Sequence, residues 1–171
     1  YGYTGNCVDT MQRVVEVQDA TITASSDTTV CEGDTVFLSV AGGSNYIWDN
    51  GLGAGDSHIF VGTSDAVYIV ESTFPACTLY DTVNVTVNAN PATPTISANS
   101  PTTFCQGGSV NLTSSQFTGN VWSTTQTSQV ITVTTSGSYS VMYTDANGCS
   151  AISTPVNIIV NSNPAIPTIT A

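Results

Sequence analysis

The chain has 171 residues, 12 Asp plus Glu, one basic side chain (Arg13) and a formal net charge of −11. Phosphate neutralisation and docking on anionic lipid both need clustered Lys and Arg, which excludes nucleic-acid binding and peripheral membrane binding from the expected roles. No apolar run approaches the roughly 20 residues of a membrane helix, and the opening residues lack the basic and apolar regions of an export signal.

Charged residues make up 8% of the chain, whereas there are 28 Thr. Val, Ile, Thr and Tyr stand where helical proteins carry Leu, Lys, Glu and Arg, so the composition predicts an all-β fold with a neutral polar surface. In chain order, VVEV at 14–17 reads as a strand. TVFLSV at 35–40 puts Val36, Leu38 and Val40 on one face, and NYIWD at 45–49 carries an inward Trp48. SHIFV (57–61), AVYIV (66–70) and DTVNVTVN (81–88) follow. The series then restarts: SVNLTS with Val110 and Leu112, GNVW with Trp122, QVITV (129–133), SYSVMYT (138–144) and PVNIIVN (155–161). A short TIS or TIT strand follows each linker. Gly, Asn, Asp and Pro separate the runs, including DANG at 145–148.

The cysteines frame this repetition. They fall at 7, 31, 77, 105 and 149, so two alternating types recur with a period near 72 residues. Trp48 and Trp122 each lie 17 residues after a cysteine, and Tyr68 and Tyr139 precede the next one by nine and ten. These four aromatics are the expected core markers. About seven short strands per unit predict tandem immunoglobulin-like β-sandwiches in an extended array. The expected boundaries are 1–19 for the last strands of an upstream unit, 20–89 and 94–161 for two complete units, and 162–171 for the linker and first strand of another. On this reading the chain is a window of a longer array. The linkers NPATP and NPAIP are proline-stiffened, so neighbouring units are expected to be held in line.

Cys31–Cys77 and Cys105–Cys149 are the disulfides this frame predicts, each pinning one end of a sandwich and closing a loop worth roughly 4 kcal/mol by chain entropy. Cys7 then has its partner before Tyr1; a free Cys7, or a bridge from Cys7 to Cys31, is the alternative. Disulfides imply an oxidising, extracytoplasmic setting.

The run TPTISANSPTTFCQGGSVNLTSS (93–115) with GNVWSTTQTSQVITVTTSGSYSVMYTDANGCSA (119–151) resembles the immunoglobulin-like repeats of large secreted surface adhesins in Bacteroidota, including gliding-motility adhesins and other type IX secretion cargo. The earlier unit is longer and more acidic in its middle but keeps the C-x-G-x-[ST]-V start, Trp and Tyr. The resemblance implies export to the cell surface. It also implies O-glycosylation at Asp-Thr-[aliphatic, Met or Thr], for which Thr10, Thr28, Thr35 and Thr82 are candidates, although Asp-Thr is also ordinary turn chemistry. The N-x-T sequons at Asn84 and Asn111 lie in strands.

No catalytic constellation is expected. His58 is the only histidine, and its alternation against Ile59 and Val61 predicts an outward strand residue. GLGAG at 51–55 has the glycines of a phosphate loop but is followed by a strand rather than a helix, and reads as a flexible strand connection. Glu32, Asp34, Asp49, Asp56 and Asp65 lie in or near loops without dense metal-ligand spacing, so they read as turn-forming, solubilising residues, with calcium as the alternative and no cofactor expected. Without lysine, a Lys–Asn isopeptide clamp cannot form. The leading expectation is therefore a non-enzymatic stalk segment whose partners are neighbouring repeats. The alternatives are a module gripping surface glycans or proteins through Phe60, Phe74 and Phe117, lateral self-association of chains, and a spacer within a secreted hydrolase.

Overall fold

The structure is a computed structural model that describes residues 20–75 and 77–167. The expected upstream strands at 1–19, with Cys7 and Thr10, and the strand after Pro167 lie outside the described residues.

Alternation at period two builds the longer strands of the described residues. In the first half these are β1 (Thr23–Ala24), β2 (Thr28–Cys31), β3 (Thr35–Ala41), β4 (Tyr46–Trp48), β5 (Gly53–Ala54), β6 (Ser57–Val61), β7 (Ala66–Thr73) and β8 (Thr78–Asn88). They form two sheets, β1-β3-β6 and β2-β8-β7-β4-β5. All pairings are antiparallel except that of β2 with β8. Val36, Leu38 and Val40 point inward from β3 against Trp48, Val70, Val83 and Val85 of the other sheet. Burying each such aliphatic side chain contributes about 1.5–3 kcal/mol.

The second half repeats the plan with β9 (Ile96–Ala98), β10 (Thr103–Cys105), β11 (Val110–Ser114), β12 (Asn120–Trp122), β13 (Val130–Val133), β14 (Gly137–Tyr139), β15 (Val141–Thr144), β16 (Ser150–Ile152) and β17 (Val156–Asn161). One sheet is β9-β11-β13; the other layer is split into β10-β17-β14 and β12-β15-β16. The split has a local cause. Pro155 has no N–H for a ladder, and beside it the Ser153 hydroxyl accepts the Val141 N–H at 3.0 Å in place of a backbone carbonyl. Val110, Leu112, Trp122, Ile131, Val133, Tyr139, Val141 and Ile158 form a second core, separate from the first. Strand order in both halves is that of an immunoglobulin-like sandwich, and Tyr139 adds the corner hydrogen bond of such folds, donating its hydroxyl to the Thr135 carbonyl at 3.0 Å.

Two expectations are overturned. His58 does not point outward: β3 and β6 pair Leu38 with His58 and Val36 with Phe60, and paired residues share a face. His58 therefore turns inward, edge-on to Trp48 with ring centroids 6.1 Å apart, and its Nε2 is buried without a hydrogen-bond partner. Ile59 and Val61 are the exposed residues, at 71% and 56%.

The expected cysteine pairing is also overturned. Cys31 is bonded to Cys149, across 118 residues, and Cys77 and Cys105 are free and exposed. The reason is strand length. Cys77 precedes β8, whereas Cys31 lies opposite Asn88 at the far end of that 11-residue strand. At about 3.3 Å per residue the two cysteines are over 30 Å apart, against the less than about 7 Å between Cα atoms that a disulfide requires. Cys149 and Cys105 are separated in the same way, because Cys105 lies opposite Asn161 at the end of β17.

Candidate functional site

The junction between the halves is where the chain departs from a plain pair of sandwiches. On its first side, Cys31 closes β2, and Glu32 donates its N–H to the Asn88 carbonyl at 2.8 Å. Gly33 then takes φ 93°, a left-handed conformation that disfavours a side chain. This lets Asp34 donate its N–H back to the Cys31 carbonyl at 3.0 Å while its carboxylate accepts the Cys31 N–H at 3.3 Å. The linker is tied to the same turn, for Asn90 Nδ2 donates to the Glu32 carbonyl at 2.7 Å. Pro94, near the end of the linker, is fully buried.

On the other side, the turn between β15 and β16 presents Cys149. Asp145 Oδ1 accepts the N–H groups of Asn147 and Cys149, both at 2.9 Å, and the Asp145 N–H donates to the Cys149 carbonyl at 2.9 Å. Two of these three hydrogen bonds fix the cysteine itself, which is only 1% exposed. Its sulfur lies 3.9 Å from the Asn88 carbonyl oxygen. The Cys31 and Cys149 Cα atoms are 5.6 Å apart. The linker and the disulfide are therefore two covalent connections between the same pair of sandwich ends, and a second connection removes the torsional freedom that a linker alone leaves.

The other expected site residues are distributed. Trp48 and Trp122 are both buried, and each indole N–H is satisfied by a backbone carbonyl, that of Gly55 at 3.1 Å and of Ser128 at 2.8 Å. Tyr139 is buried; Tyr68 is half-buried, with its ring 4.9 Å from that of Phe60. Desolvation, and secondarily the charge of Asp49, raises the Tyr68 phenol above its usual range. Phe60 packs on the first core, Phe74 lies over Gly43, and Phe117 is exposed in a loop of the second half. GLGAG forms the β4–β5 connection, in which Gly53 and Ala54 pair with Trp48 and Ile47. Thr35 and Thr82 are exposed and Thr28 is half-buried.

The acidic residues act as backbone acceptors. Asp49 takes the Ile69 N–H, Asp65 the Val87 N–H and Asp81 the Ala24 N–H. Asp27 bridges the Asn84 backbone N–H and side-chain amide, and those bonds, the backbone one first, hold its carboxyl below the ordinary 3.8. Among the described residues no three His, Cys, Asp or Glu side chains converge as metal ligands. Sequence reasoning missed the junction; its signal was the position of each cysteine along its strand, which fixes the end of the sandwich it occupies.

No known protein family and no curated protein matches the chain. Among solved structures it is similar to murine CEACAM1b, at 13% identity and TM-score 0.39, covering 82% of this chain and 100% of that one. It is also similar to the fibronectin(III)-like modules of CbhA from Clostridium thermocellum, at 13% identity and TM-score 0.37, covering 83% and 95%.

Proposed function

We propose that residues 20–89 and 94–161 are successive immunoglobulin-like units in the stalk of a secreted cell-surface adhesin, spacing a distal binding region from the cell. The Cys31–Cys149 bond carries this reading, since it fastens the end of one sandwich to the start of the next at the linker itself. A structural disulfide also fits an oxidising, extracellular setting. The sequence resemblance to Bacteroidota adhesin repeats supports type IX secretion, a role in gliding motility and O-glycosylation, with Thr35 and Thr82 the accessible acceptors. The partners are neighbouring units of the same kind, and we assign no cofactor and no enzymatic role.

Small-angle scattering of the oxidised chain, of the Cys31→Ser variant and of both with calcium tests the proposal. A rod close to the summed unit lengths in the oxidised chain, loosened by Cys31→Ser and indifferent to calcium, is expected. A folded-back or flexible oxidised chain sinks the stalk, and stiffening by calcium would reassign the acidic loops as ligands.

One observation favours a binding module as the second reading. Val121, Met142 and Ile152 pair across β12, β15 and β16 as an outward apolar row, 39%, 37% and 62% exposed. Glycan-array binding that is lost in Ile152→Ser would favour that role.

A further inference from the structure

The sides of this junction recur in the chain: among the described residues one pair is closed, and Cys77 and Cys105 stand open. At the far end of the second half, Cys105 ends β10 opposite Asn161, as Cys31 ends β2 opposite Asn88. Gln106 donates its N–H to the Asn161 carbonyl at 2.8 Å, the same distance as from Glu32 to Asn88. Gly107 takes φ 95° where Gly33 takes 93°. Gly108 donates to the Cys105 carbonyl at 3.0 Å, as Asp34 does to Cys31. Asn163 Nδ2 donates to the Gln106 carbonyl at 3.3 Å, as Asn90 does to Glu32. Beside this turn, Gln106, Thr134, Ser136, Val160 and Ser162 line an open concavity of about 320 Å³.

The complementary half is at the end of the first half opposite to Cys31. Cys77 precedes β8 in the turn after β7, as Cys149 precedes β16 after β15, and its carbonyl accepts the Phe74 N–H at 2.8 Å as that of Cys149 accepts the Asp145 N–H. It is exposed where Cys149 is buried by its partner.

We propose that Cys105 and Cys77 are the open halves of the same staple. Cys105 accepts the turn cysteine of another unit of this fold seated on the β17 end, and Cys77 reaches the Cys31-type cysteine of a unit seated on its own turn. Units of this type are then cross-linked serially, each to the next. The inference rests on reading the two halves as successive units, and it assigns them an interaction surface and a covalent partner. Closure consumes a small-molecule disulfide. One cysteine thiolate attacks it, forming a mixed disulfide and expelling a thiolate; the second cysteine thiolate then attacks the mixed disulfide and expels the other. The two protons lost by the cysteines end on the two released thiols, and the cysteines are oxidised by two electrons as the reagent is reduced.

The test begins with the chain carrying Cys7→Ser, incubated in a glutathione redox buffer and mapped by non-reducing peptide mass spectrometry after peptic digestion. Expected are Cys31–Cys149 within each copy, Cys105–Cys77 between copies and a ladder on non-reducing gels. Cys105→Ser and Cys77→Ser should each lose the ladder, and mixing the two should give a dimer and nothing longer. A second protein repeats residues 89–161 after Asn161, so that the native linker delivers the partner; there Cys105 should lose its reactivity to iodoacetamide by bonding the Cys149 of the added unit. Cys105 still alkylated in that protein overturns the proposal, as does mapping that returns Cys31–Cys77 and Cys105–Cys149. Scattering from the chain with Cys7, Cys77 and Cys105 all changed to Ser tests the stalk separately, because its closed junction is untouched.

Discussion

The two tryptophans show how much one side chain holds in sandwiches this thin. Each fills the space between its sheets and spends its only polar hydrogen on a loop carbonyl, Trp122 on Ser128 and Trp48 on Gly55. Trp122→Ala should destabilise the second half by about 3–5 kcal/mol in denaturant unfolding, with Trp122→Phe losing much less. Both were legible in the sequence, because they recur at equivalent positions and alternate like the core residues of their strands. His58 was not. Alternation in SHIFV separates two faces but does not say which is inside, and the apolar Ile59 and Val61 pointed the wrong way; the register against Leu38 decides it. Asp27 gives a pH prediction. Its carboxyl is depressed in the folded chain, so the stability it contributes is present above the ordinary 3.8 and is lost as pH falls through the lower folded value. Acid unfolding of Asp27→Asn should accordingly show a shallower decline than the parent chain as pH falls from the ordinary 3.8 to that lower value.

Among the elements, connections set the limits. Gly119, between β11 and β12, has φ 73°, and a β-carbon there would stand 2.5 Å from the Thr144 carbonyl oxygen. Both the conformation and the clash oppose a side chain, so Gly119→Ala should cost more than about 1 kcal/mol, read as a lower thermal midpoint, while the same change at the exposed Gly108 costs less. The strand runs themselves were readable from period two and their punctuation. Splitting of the second half's larger layer was readable only in part: Pro155 announces a missing donor, but the Ser153 hydroxyl that replaces a carbonyl is a tertiary choice. The cysteine ends were misread at this scale. Cys31 and Cys77 both flank strands, yet an 11-residue β8 lies between their ends.

At the scale of the molecule, two separate cores among the described residues are joined by the linker and one sulfur bridge. Closing a 118-residue loop restrains the unfolded chain by about 5 kcal/mol in the chain-entropy account. Reduction, or Cys31→Ser, should lower the thermal midpoint and let the halves melt as two calorimetric transitions. Retention of one transition at an unchanged temperature would show that the bridge couples nothing.

The placement of that bridge also decides what happens under tension. A pull applied before Cys31 and after Cys149 passes through the sulfurs, and everything between them is shielded from the load. About 400 Å of contour length, 118 residues at full extension, stays locked however hard the chain is drawn. Only the few strands outside the bridge can be peeled away. A reductant would put the locked length under load, so that the two halves could then unfold and lengthen the tether.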